Sequence, residues 1–175
     1  TIVYALDASI GELRWRHQFP AKAFSGDAPL AGGIVASFSN TDVLTGEACV
    51  VAIADDGNRR WEVACEGQHV SAPAALGNKV VVVVDADTCL ILEARNGAEL
   101  ERFTLPDFAS DNAPLATKAH IYIPCRGPRL LAMTWEGDQA WIYEAGTTSH
   151  TSLSRTPVLV GGRLMVVSSK GQVSA

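Results

Sequence analysis

Apolar residues fall in short runs along the chain: "IVYAL", "GIVASF", "CVVAIA", "VVVVV", "CLILE", "IYIP", "LLAM" and "LMVV". Gly, Pro, Asp or Asn recur in the segments between them. Runs rich in β-branched and aromatic residues bounded by turn residues predict strands. No 3.6-residue apolar period persists long enough to predict a helix of ordinary length. Four of the small breaks, Gly32-Gly33, Gly77-Asn78, Thr117-Lys118 and Gly161-Gly162, each separate two strand-like runs and predict antiparallel hairpins. The expected fold class is all-β.

The runs repeat. G-x-x-x-W occurs at Gly11–Trp15, Gly57–Trp61 and Gly137–Trp141, and Gly97 stands in phase with Glu101 in the Trp place; the glycines are 46, 40 and 40 residues apart. A second marker, Pro29, Pro73, Pro114 and Pro157, opens an apolar stretch in each unit at spacings of 44, 41 and 43. Four strand-like runs in a unit of about forty residues is the pattern of a β-propeller blade. Four blade equivalents are expected, as repeats of approximately 1–47, 48–87, 88–127 and 128–175 within one propeller domain or partial propeller. Blades packed around an axis leave a wedge that widens outward. A flat Trp at a fixed place on the outermost strand would fill it against the neighbouring blade, contributing about 2–3 kcal/mol per site. Gly11, Trp15, Gly57, Trp61, Gly97, Gly137 and Trp141 are therefore assigned to blade docking.

The copy A-L-D-A-S-I-G-E-L-R-W, Ala5 to Trp15, resembles the tryptophan-docking motif A-x-D-x-x-T-G-x-x-x-W, with Ile10 in the Thr place. Later copies are degenerate: Ala52, Gly57 and Trp61 are kept in the second, Gly97 alone in the third, and Ala132, Gly137 and Trp141 in the fourth. On these residues the chain is similar to the pyrroloquinoline-quinone-like (PQQ-like) repeat propellers of the quinoprotein alcohol dehydrogenase-like superfamily. The resemblance implies a Pro-led innermost strand A, then B, C and a Trp-bearing outermost strand D. The chain then opens at a C strand and closes, "GQVSA", at another. Its last A–B pair could join its first C–D pair in a four-bladed ring. Alternatively it is part of a seven- or eight-bladed propeller, completed by further sequence or by a second copy. The resemblance favours the partial propeller, whose open blade faces would promote a homodimer.

Composition narrows the partners. The chain has 175 residues, 47% hydrophobic and 19% charged, with net charge -5. No basic stripe is present, so no nucleic-acid partner is expected. The longest aliphatic run, Val80 to Val84, is too short to cross a bilayer. The sequence opens at Thr1 in mid-pattern, which leaves any leader undecided. Cys49, Cys65, Cys89 and Cys125 form no C-x-x-C pair and are expected to be buried free thiols.

Loop length suggests where binding sits. The longest connections are Ser39 to Glu47, between strands B and C, and Glu144 to Thr156, between D and A. Both kinds of loop share one propeller face, and loops on a rigid scaffold tend to carry binding residues. The candidates for a ligand or partner face are Asp27, Asp42, Glu47, His69, Ser71, Asp111, Asn112, His150 and Arg155. No nucleophile elbow, P-loop or zinc spacing is present, so no catalytic or metal residue is assigned and no cofactor is expected. The expected function is non-catalytic: a scaffold or sensor that binds a protein or peptide. The resemblance also implies an alternative, a fragment of a PQQ-dependent dehydrogenase. That enzyme would need PQQ, a calcium held by Glu, Asn and Asp, an Asp base and a Trp platform. Trp15, Trp61 and Trp141 occupy docking places and Trp135 lies in a C–D turn, leaving none at the axis. The resemblance leans toward the periplasm or cell surface, and four unpaired cysteines lean the other way.

Overall fold

A computed structural model describes residues 1–20, 22–41, 47–144, 152–153, 155–169 and 173–174. These form seventeen strands and no helix. The first hairpin pairs β1 (Ile2–Leu6) with β2 (Leu13–Gln18). Three complete four-stranded antiparallel sheets follow. The first contains β3 (Lys22–Leu30), β4 (Gly33–Asn40), β5 (Ala48–Ala54) and β6 (Arg59–Cys65). The second contains β7 (Ala74–Leu76), β8 (Lys79–Val84), β9 (Thr88–Glu93) and β10 (Glu99–Thr104). The third contains β11 (Leu115–Ala116), β12 (Ile121–Pro124), β13 (Arg129–Met133) and β14 (Gln139–Glu144). A three-stranded sheet of β15 (Val158–Val160), β16 (Arg163–Val167) and β17 (Val173–Ser174) ends the arc. In each complete sheet the strands pair in chain order, A to D, and β3, β7 and β11 approach one another as the inner strands. The molecule is a run of propeller blades. β1 pairs with β2 and β16 with β17, so the terminal sheets remain separate and no four-bladed ring closes.

The continuous apolar runs are explained by this stacking. β5, β8 and β9 are almost wholly buried because a blade between two others is covered on both faces. The outer strands β10 and β14 are mostly exposed. Each interface between successive sheets has its own core. Phe19, Phe38, Val51 and Ile53 fill the first. Val35, Val50, Val82, Leu90 and Trp61 fill the second. Val81, Ile91, Ile123 and Met133 fill the third. Among the described residues the last is smaller, with Leu130, Leu153 and Val166 buried in it.

The docks between blades are specific. Trp15 lies against Gly57, where an added Cβ would come within 2.6 Å of the indole, and its Nε1 donates to Asp55 O at 3.0 Å. Trp61 repeats this on Gly97, with Nε1 donating to Ala94 O at 3.0 Å. Both glycines have positive φ, +89° and +75°, so the turn needs glycine for backbone as well as space. The turns are shaped by local acceptors: Asp7, Asp56 and Asn96 side chains accept the backbone N–H of Ser9, Asn58 and Ala98. The Asp7 carboxyl is held down to about 2, chiefly by the Ser9 hydroxyl and then by Arg14.

Two sequence assignments change. Glu101 holds the backbone place of the Trp, opposite Ile91, yet Phe103 makes the contact, with its ring 2.8 Å from where a Gly137 Cβ would lie. A charged side chain cannot fill the wedge, and the apolar residue two positions on, on the same side of the strand, does so. Trp141, in its expected strand, is 38% exposed and packs on Tyr122, ring centroids 5.6 Å apart. Pro29 is out of phase with the other three prolines. The A–B turns close at Leu30/Gly33, Leu76/Lys79, Thr117/His120 and Val160/Arg163. Three residues before each stand Asp27, Pro73, Pro114 and Pro157. Positions 27 and 29 both point their amide nitrogens away from β4 on the inner edge, so Pro is tolerated at either.

All four cysteines are free and buried. Cys49 faces Ala64 and Cys65 faces Ala48 across adjacent rungs of β5 and β6, which puts the two thiols on opposite faces of the sheet. Burial pushes the Cys65, Cys89 and Cys125 thiols up to about 12 and raises Cys49 as well. We expect the native chain at pH 8 to leave all four unreacted with a chromogenic disulfide, and to release four equivalents on denaturation. A fast native equivalent would contradict this burial.

Candidate loop-face cleft

The connections from D to A and from B to C meet at one end of the blades, where each D–A segment runs back along the following B strand. Isolated bridges Val70–Val84, Ala109–Cys125 and Leu153–Ser168 fix this arrangement in three successive sheets. Between these segments lies a cleft of about 500 Å³. Phe24 and Ser25 of β3 and Ser39 of β4 line it from the first complete blade. His69 to Ser71, Asp85 and Ala86 line it from the second, and Ser110, Asp111 and Arg126 from the third.

Much of the wall is locked by hydrogen bonds. The Ser25 and Ser39 hydroxyls lie 2.9 Å apart, and Ser39 Oγ accepts the Val70 N–H at 3.0 Å. Ser71 is buried, its Oγ donating to Ala72 O and accepting the Val83 N–H. Asp85 Oδ1 accepts the N–H groups of Gln68 and His69 at 3.0 and 2.9 Å, clamping the D–A segment to the B–C turn. That turn is tight, with Asp85 and Ala86 at φ +45° and +69° and the Asp87 N–H donating to Val84 O. These positive φ values at two successive non-glycine residues suit a primed hairpin turn. The Arg126 guanidinium lies over the Phe108 ring, 5.8 Å from its centroid, and its backbone N–H donates to Phe108 O.

Of the residues singled out from sequence, the cleft brings together His69, Ser71 and Asp111. Asn112 lies beside it, its Nδ2 donating to Ser110 Oγ and to Leu153 O, and so ties one D–A segment to the next. Asp27 is exposed within β3, Glu47 is exposed ahead of β5, and Arg155 is exposed ahead of β15; none lines the cleft. Asp42 and His150 lie outside the described residues. Phe24, Asp85 and Arg126 were missed. They sit in or beside short connections that loop length does not single out: Asp85 and Arg126 come from the B–C turns after β8 and β12, and Phe24 from the start of β3.

None of the four tryptophans lines the cleft. Trp135 donates its Nε1 to Thr117 O and carries Lys79 Nζ 4.4 Å from its ring centroid, far from any free platform. Among the described residues no group of three His, Cys, Asp or Glu side chains could hold a metal ion. Among the described residues the cleft therefore does not supply the Trp platform and carboxylate set that a quinone with calcium would need.

Residues 1–175 match the family model described as outer membrane protein assembly factor BamB. The chain belongs to that family. Its fold is also that of BamB from Moraxella catarrhalis, at 21% identity and a TM-score of 0.71, over 98% of this chain and 51% of that one. A europium-containing methanol dehydrogenase matches at 15% identity and a TM-score of 0.57, over 74% of this chain and 26% of that one. The Neurospora crassa Pan2 WD40 domain matches at 11% identity and a TM-score of 0.66, over 99% and 58%. This BamB-family chain is thus a run of PQQ-like blades spanning about half the length of the Moraxella structure. No curated protein sequence matches it.

Proposed function

We propose that the chain is a non-catalytic, protein-binding part of an outer membrane protein assembly factor, acting in the periplasm or at the cell surface. It presents the face of its B–C and D–A loops to a protein or peptide partner. The observation that carries this reading is the cleft itself: three successive blades each contribute polar side chains to one concave surface. Membership of the BamB family supports the class of partner. Of the remaining candidates, Glu47, Asn112 and Arg155 would flank that surface, whereas Asp27 stands in β3 three residues before the A–B turn. The test compares the two ends of the blades in the full-length protein. Placing new charges on the loop face, with Asp111→Lys and His69→Glu, should release the outer membrane assembly partners during co-purification, while substitutions at the opposite A–B turn, Gly77-Asn78, should not. Equal loss from both ends would sink the loop-face reading.

The ends of the arc suggest a further association, a homodimer. Among the described residues each end exposes apolar side chains, Tyr4, Leu6 and Ile10 at one and Ile142, Tyr143 and Val158 at the other. Two copies placed head to tail would cover both. The 175-residue chain alone is expected to run at dimer mass at high micromolar concentration, and Trp141→Asp to shift it toward monomer. A parent chain that stays monomeric throughout defeats the pairing.

A further inference from the structure

We propose that the loop-face cleft binds an extended acidic segment, with Arg126 gripping a carboxylate of the partner. The inference rests on the loop-face reading above and names its ligand chemistry. Arg14, Arg59, Arg102 and Arg129 each pair with a carboxylate of this chain. Arg126, like Arg16, Arg60, Arg95, Arg155 and Arg163, has no such pair among the described residues, and of these it alone lines the cleft. Its cation–π contact with Phe108 keeps the guanidinium near the cleft wall, and its N–H groups can take a carboxylate two at a time, as Lys cannot. Phe24 and Phe108 are 48% and 57% exposed, so apolar side chains flanking the acid have rings to cover.

Asp111 makes the site selective. It lines the same cleft without an ion pair among the described residues, and it can accept backbone N–H groups from an extended segment. It also opposes a second acid beside the first. Asp85 does not compete for the ligand with its Oδ1, which is committed to the Gln68 and His69 amides. That clamp presets the wall, so little ordering remains to oppose binding. A volume of about 500 Å³ lies within the range of ligand sites and fits a short stretch of peptide.

The probe is a fluorescein-labelled, amidated hexapeptide with Phe-Glu-Phe at its centre, titrated by anisotropy into the full chain beside Phe-Gln-Phe and Phe-Lys-Phe versions. The Glu peptide should bind about tenfold or more tighter than the Gln peptide, as expected for a charge-assisted pair. Arg126→Gln should erase that difference, Arg126→Lys should keep part of it, and Phe108→Leu should weaken the Glu peptide with circular dichroism unchanged. Equal binding of Glu and Gln peptides, no binding of any, or a preference that survives Arg126→Gln overturns the inference. If that happens while the loop-face charge substitutions still release the partners, only the ligand chemistry is wrong. If those substitutions release nothing, the loop-face reading fails first.

Discussion

Trp61→Ala is expected to destabilise the chain by about 3–5 kcal/mol, the range for emptying a large buried aromatic site. Trp61 is 8% exposed and lies between the first and second complete blades, against Gly97 and beneath the Ala94 carbonyl that its Nε1 satisfies. Removing the indole leaves a cavity at the wide part of the wedge and an unpaired carbonyl. The backbone at Gly97 cannot collapse into the gap, because its φ of +75° is fixed by the turn. Trp141→Ala is the matched control in the 175-residue chain: the same motif position, 38% exposed, costing under about 1 kcal/mol. Trp61→Phe should fall between, because Phe103 fills the equivalent dock on Gly137 without an indole N–H. Urea unfolding followed by circular dichroism measures all three. If Trp61→Ala costs no more than Trp141→Ala, the wedge does not hold the blades together. Each blade touches only its neighbours, so the loss is also expected to split one transition into two, locating the broken interface.

The contrast between these tryptophans shows what was legible in the sequence. Glycines at positive φ and flat aromatics cannot be exchanged freely, so Gly57, Gly97, Trp15 and Trp61 mark the blades plainly. Where chemistry allows substitutes, the marker drifts. Phe103 replaces the missing Trp from two residues downstream, and Asp27 stands where three other blades have Pro. The 46-residue spacing of Gly11 and Gly57, against 44 for Pro29 and Pro73, already held that two-residue slip. The cleft was legible only as a face. Arg126, Asp85 and Phe24 come from three blades, and their meeting depends on how those blades are stacked. Nothing local in "PCRGPR" or "VDADT" distinguishes a cleft residue from a solvated turn. Arg126 stands out in the fold because it lies in the cleft, 5.8 Å from the Phe108 ring centroid, with no carboxylate paired to it among the described residues.

Gly26→Ala is expected to cost about 1–3 kcal/mol or more, through overpacking at the axis and through a φ of +155° that a residue with a Cβ adopts only under strain. A Cβ at position 26 would lie 2.3 Å from Ala72 Cβ and 3.1 Å from Ala72 Cα, so the inner segments of two neighbouring blades must separate. Neither group is the end of a flexible side chain, and the strain cannot be relieved by a rotamer change. Ala72→Gly removes the opposing methyl and should by itself cost only about 0.5–1 kcal/mol through backbone freedom. Combined, the two exchange which blade carries the methyl, so the double variant should be more stable than the sum of the single losses predicts, a coupling that only touching residues show. The same pair bears on binding. Ser25 and Ser71, immediate neighbours of these two positions, line the cleft and are held by the Ser39 hydroxyl and the Val83 amide. Gly26→Ala should therefore weaken the Phe-Glu-Phe peptide together with stability, and Ala72→Gly should restore part of both. A neutral Gly26→Ala, or a double variant with fully additive loss, would mean that the two blades do not meet at the axis and that the cleft is not set by their contact.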